Sequence, residues 1–126
     1  MPTTRGLRTV IYHVSDLPRA REWYSAAFDA TPYFDEPFYV GFTIGGFELG
    51  LDPDCSRVAP GSGGAESYWG VTDVDGAVAH FASHGARIVE PVREVGGGIR
   101  VALVSDPFGN VIGLIDNPHF APDAVV

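Results

Sequence analysis

The sequence predicts an α+β fold built from two βαβββ modules, and three observations predict it. Val14-Ser15-Asp16-Leu17 leads into an amphipathic helix, and Val71-Thr72-Asp73-Val74 does the same fifty-seven residues later. Each half then continues in strand-like segments. Each ends on a glycine step, Leu49-Gly50-Leu51 in the first half and Ile112-Gly113-Leu114 in the second. Self-similarity on this scale is a whole supersecondary unit used twice. One copy alone leaves a sheet face uncovered, so two must pair, within a chain or between chains.

The elements follow in order. Arg8 to Ser15 alternates and is rich in β-branched and aromatic residues, the pattern of a strand. Asp16 is a good N-cap, and Pro18 falls in the first turn, where its missing N–H costs nothing. Leu17, Ala20, Tyr24, Ala27 and Phe28 then share one helical face. Pro32 and Pro37 break the chain around a weak strand near Tyr33. Tyr39 to Ile44 and Phe47 to Leu51 read as a hairpin about Gly45-Gly46.

The segment 53–65, with Pro53, Pro60, Gly61, Gly63 and Gly64, reads as a linker between module one (7–52) and module two (66–116). In module two, Glu66 to Thr72 reads as a strand and Asp73 caps a helix. That helix buries Val74, Ala77, Val78 and Phe81, and Gly85 ends it. Arg87 to Val89 is a short strand, and Gly96-Gly97-Gly98 is a turn or loop. Ile99 to Val104 and Val111 to Ile115 flank a tight turn at Asp106-Pro107-Phe108-Gly109-Asn110. Residues 117–126 form a tail.

At 126 residues the whole chain, 1–126, is expected to be one domain with a real core. A formal charge of −8 argues against nucleic acid, since few cations are present to displace phosphate counterions. Cys55 is alone, so no disulfide framework exists within the chain and a reducing compartment is expected. Met1 to Gly6 lacks the apolar run of a signal peptide, and no segment has the length of a membrane span. The expectation is a cytoplasmic protein without a membrane partner.

The repeat, Trp23-Tyr24 within the first helix, and Asp106-Pro107-Phe108-Gly109-Asn110-Val111-Ile112 together resemble the vicinal oxygen chelate superfamily. This is the group of glyoxalase I, bleomycin-resistance proteins and extradiol dioxygenases. The resemblance spans roughly residues 7–117. It implies two modules whose strands curl into an open, cup-shaped mixed sheet with helices on the outer face, often within a homodimer. It also implies where metal ligands would stand: Thr9 and Glu66 on the first strand of each module, Gly50 and Gly113 on the last. Glycine offers no donor and threonine a poor one, whereas divalent sites need at least three His, Asp or Glu ligands. Moving the register to Glu48, on the same strand face as Gly50, still gives only two. No metal and no other cofactor is therefore expected.

Strand alternation names the cup lining: Thr9, Ile11, His13, Glu48, Gly50, Glu66, Tyr68, Val101, Leu103 and Gly113. Apolar walls with a few polar groups suit a small organic molecule. The acidic chain favours a cationic or amphipathic one. Three functions are compatible with this reading. One is a metal-free binding protein that sequesters such a ligand. The second is a glyoxalase-like lyase or isomerase with Glu66 as the catalytic general base, and with His13 or Tyr68 replacing the missing electrophile. The third is an accessory domain with a vestigial cup. Each polar candidate also has a purely structural reading. His13 could bond a neighbour at the strand end, and Tyr68 could be core packing. Glu48 and Glu66 could be solvated. His80 and His84 are expected on an exposed helix face, and Cys55 is not expected to be reactive.

Overall fold

A computed structural model describes residues 7–63 and 66–126. The N-terminal segment and the end of the linker lie outside the described residues. The first module runs β1 (Thr9–His13), α1 (Leu17–Ala27), β2 (Phe34–Glu36), β3 (Tyr39–Ile44) and β4 (Phe47–Asp52). The second runs β5 (Tyr68–Gly70), α2 (Val74–Ser83), β6 (Arg87–Glu94), β7 (Arg100–Ser105) and β8 (Val111–Asp116). A short 3-10 turn, Pro122–Ala124, lies in the tail.

The duplication is visible in the topology. The sheets are ordered β1-β4-β3-β2 and β5-β8-β7-β6, each with its first strand parallel to its last and the other pairs antiparallel. The strands thus form two four-stranded mixed sheets rather than one continuous ladder. The weak second strand is real but only three residues long, and β6 extends to Glu94, well past the short segment expected at Val89. Two register shifts interrupt its pairing with β7, which blurs the alternation on which a strand reading depends.

Both helices start by the same chemistry. Asp16 accepts from the Arg19 amide at 3.2 Å and Asp73 from the Gly76 amide at 3.1 Å, each satisfying an orphan donor of the first turn. Both also end alike. Gly85 (φ 87°) follows α2 in the left-handed region, and the Ala86 amide reaches back to the Phe81 carbonyl at 3.1 Å. After α1 the same position is taken by Asp29 (φ 50°), with the Ala30 amide bonded to the Ser25 carbonyl at 3.0 Å. Both closures are Schellman turns.

The modules share one core, joined on the helix-facing side. The Trp23, Phe28, Trp69 and Phe81 rings meet edge to face, with centroids 5.3–6.2 Å apart, a favoured aromatic geometry. The Asp106 turn locks this seam. Asp106 Oδ2 accepts from the Tyr24 hydroxyl at 2.7 Å and the Asn110 amide at 2.8 Å, while Oδ1 accepts from the Phe108 and Asn110 backbone amides, both at 2.8 Å. Asn110 also donates to the His13 carbonyl at 3.0 Å. A buried carboxylate is tolerated only when satisfied in this way.

His80 stands on the exposed helix face expected of it, and from there its side chain reaches the carbonyls that end α1. Its Nε2 lies 3.0 Å from the Ala27 oxygen and 3.3 Å from that of Ala26. The contact crosses 53 residues of sequence and depends on how the modules pack.

Candidate functional site

With the helices covering one side, each sheet keeps an open face. On the first sheet, Thr9 lies opposite Glu48, Ile11 opposite Gly50 and His13 opposite Asp52. Gly50 is in turn opposite Gly41 on β3, and Gly41 opposite Phe34 on β2. Two glycines side by side make a floor without side chains, and tyrosines from the same module cover it. The Tyr33 ring sits on Gly41, where an added Cβ would lie 3.1 Å from Cε1, and the Tyr39 hydroxyl sits on Gly50, where a Cβ would overlap it.

Glu48 holds both rings in place. The Tyr33 hydroxyl donates to its Oε1 at 2.7 Å, and the Tyr39 hydroxyl donates to Oε2. The hydrogen bond to Glu48 is the main cause that raises the Tyr33 pKa. Burial raises that of Tyr39, reinforced by Glu48. Both phenols therefore stay protonated donors.

The second sheet repeats the device. Tyr68 lies opposite Gly113, and a Cβ on Gly113 would come 2.5 Å from Tyr68 Cδ1 and 2.6 Å from the Ser67 carbonyl oxygen. The Tyr68 hydroxyl points to Glu66 Oε2 at 3.2 Å. Its pKa is raised by burial first and then by Glu66. Val101 and Leu103 are buried yet lie outside the shared core, opposite Ile115 and Gly113. Facing them across β6 are Arg93 and Glu90.

The residues read from the sequence as one pocket thus form two groups. Thr9, Ile11, Glu48 and Gly50 line the open face of the first sheet. Glu66, Tyr68, Val101, Leu103 and Gly113 line that of the second. His13 turns to the linker, with Nδ1 2.9 Å from the Asp54 carbonyl. Two grooves lie elsewhere. One of about 570 Å³ runs between α1 and the β2–β3 turn, and one of about 340 Å³ opens at the module seam beside Phe28, Trp69 and His80. No cup residue read from the sequence lines either of them.

Sequence reasoning missed Tyr33 and Tyr39. The signal was available for Tyr39: alternation along β3 places it on the same face as Gly41, and pairing places Gly41 beside Gly50.

The sequence profile described as Glyoxalase/Bleomycin resistance protein/Dioxygenase superfamily matches residues 6–114. The chain belongs to this superfamily. Solved structures agree on the fold. A lactoylglutathione lyase from Agrobacterium tumefaciens is 19% identical, with a TM-score of 0.76 over 94% of this chain and 100% of that one. A glyoxalase-related enzyme from Fulvimarina pelagi is 19% identical, with a TM-score of 0.76 over 91% and 90%. TioX from Micromonospora sp. ML1 is 21% identical, with a TM-score of 0.67 over 88% and 98%. No curated protein matches the chain in sequence.

The superfamily's metal positions can be tested against this geometry. A side chain at position 50 would displace the Tyr39 hydroxyl, and one at 113 would strike the Ser67 backbone. Glu48 is tied to two phenols, and Glu66 stands beside one. Among the described residues, no three His, Cys, Asp or Glu side chains come together to hold an ion. Of the four positions that the resemblance marks for ligands, only Glu66 carries a carboxylate.

Proposed function

We propose that this protein is a metal-independent small-molecule-binding member of the superfamily that takes a cationic or amphipathic organic ligand on its open sheet faces. The observation that carries this reading is the tyrosine-on-glycine arrangement. Gly50 and Gly113, two of the four positions from which a metal ligand would project, each lie under a tyrosine hydrogen-bonded to a glutamate. Such a surface offers apolar contact and negative charge without a Lewis acid. On the first sheet, the open-face strand positions carry Glu36, Glu48 and Asp52 and no arginine or lysine.

In this reading two copies build the complete site. Each open face leaves large apolar groups in solvent, including Ile11 (46% exposed) and Tyr68 (37% exposed). The second face also carries cations to meet the acidic first face, Arg87 and Arg93 in register with Ser105 and Val101, set among Glu66 and Glu90. A homodimer that apposes the first sheet of one copy to the second sheet of the other satisfies both features.

Calorimetric titration with cationic ethidium and anionic anilinonaphthalene sulfonate tests the binding reading, alongside light scattering for the dimer. Saturable binding of ethidium alone is expected. Absence of ethidium binding at 100-fold excess over protein (roughly millimolar) would reject the reading.

The Tyr68–Glu66 contact keeps one enzymatic reading in play, a lyase or isomerase with Glu66 as general base. Turnover of the methylglyoxal–glutathione hemithioacetal that Glu66→Ala abolishes would replace the binding reading with that one.

A further inference from the structure

We propose that the open face of the first sheet selects a quaternary, N-methylated ammonium over a primary ammonium of the same size; this rests on the ligand-binding reading above. The corner formed by Phe34, Tyr33 and Tyr39 around Glu48 carries the inference.

Its rings are tilted against one another rather than stacked. Phe34 and Tyr39 have centroids 6.1 Å apart and are tilted by 60°, and Phe38 stands against Phe34 at 5.9 Å and 67°. Tyr33 lies on the glycine floor beside them and is 60% exposed, so one of its faces is open. Phe34 (37%) and Phe38 (66%) are exposed as well, and a cation that settles on an exposed ring face is attracted by the ring's quadrupole.

The carboxylate in this corner is unusual in its bonding. Each Glu48 oxygen already accepts a phenolic hydrogen, Oε1 from Tyr33 and Oε2 from Tyr39. Each oxygen keeps one lone pair, so Glu48 offers at most two acceptors to the three N–H donors of a primary ammonium, and a donor turned towards the rings loses its water without a replacement. A trimethylammonium brings no donors. It gains the ring contacts and the Coulomb field of the carboxylate and loses no hydrogen bond. The phenols thus halve the hydrogen-bonding capacity of Glu48 while leaving its charge in place.

The test compares benzyltrimethylammonium with benzylammonium at neutral pH, by calorimetry on the whole chain. Benzyltrimethylammonium should bind about tenfold or more tightly. Tyr39→Phe keeps the ring and frees Glu48 Oε2, so it should narrow that preference by strengthening benzylammonium binding. Glu48→Gln should weaken both cations. Equal or tighter binding of benzylammonium by the unaltered protein overturns the selectivity while leaving the cation site standing. Failure of both cations and of ethidium removes the site itself. A preference that Tyr39→Phe leaves untouched also overturns the proposal, because the phenol on the carboxylate is its cause.

Discussion

Tyr12 and Trp69 hold equivalent places in the two modules and meet at the seam, the Trp69 indole donating to the Tyr12 hydroxyl at 2.9 Å. The same hydroxyl lies 2.7 Å from Ser67 Oγ, so the first strand of each module is tied to the other by one shared oxygen. Removing that oxygen strands a buried indole N–H. Tyr12→Phe should destabilise the fold by about 1–3 kcal/mol in urea unfolding. A change below about 0.3 kcal/mol would show that the indole finds another acceptor.

The glycines of the repeat are not interchangeable. Gly113→Ala should cost about 1–3 kcal/mol, because its Cβ meets the Ser67 carbonyl at 2.6 Å as well as a ring that could move. Gly70→Ala, where nothing lies within 4 Å of the new Cβ, should be neutral or slightly stabilising. Equal effects of the two substitutions would contradict the close approach at 113.

All five tyrosines of the chain have raised pKa values in the folded protein. Burial is the first cause for Tyr12, Tyr24, Tyr39 and Tyr68, and the bond to Glu48 for Tyr33. The sign follows from linkage. Below a pH of about 10, the ordinary phenol value, folded and unfolded chains both keep these protons and no dependence arises. Above it the unfolded chain releases them first, so stability falls as pH rises towards the folded values. Unfolding midpoints should hardly respond to the tyrosines between about pH 8 and 9 and should drop beyond about 10. The tyrosinate absorbance near 295 nm that belongs to buried Tyr12 and Tyr24 should rise together with unfolding rather than before it. Ionisation of Tyr12 and Tyr24 ahead of unfolding would refute the assignment.

Much of the fold could be read from the chain because its signals are local. Asp16 and Asp73 cap helices through contacts three residues away, Gly45-Gly46 turns a hairpin, and the alternation in β1 and β4 is uninterrupted. What escaped was long-range or irregular. The bulged register of β6 hid its length, and nothing near His80 announces that it caps the end of α1. Asp106 reads as a turn residue, and the Tyr24 hydroxyl that it accepts comes from 82 residues earlier. At the candidate site, alternation named Gly50 and Gly113 as openings in the wall. Which rings fill them depends on side-chain reach: Tyr39 leans along its strand onto Gly50, while Tyr68 lies directly across from Gly113.

The placement of the two tryptophans has a consequence for how this protein reports on itself. Trp23 donates to the His84 carbonyl at 2.8 Å and Trp69 to Tyr12, so both indoles are held between the modules. Their emission is a gauge of whether the halves stay clasped. A molecule settling on the outward sheets would be seen instead through Tyr33, Tyr39 and Tyr68. Dissociation of the modules and occupancy of the surface are therefore written in two different chromophores of the same chain.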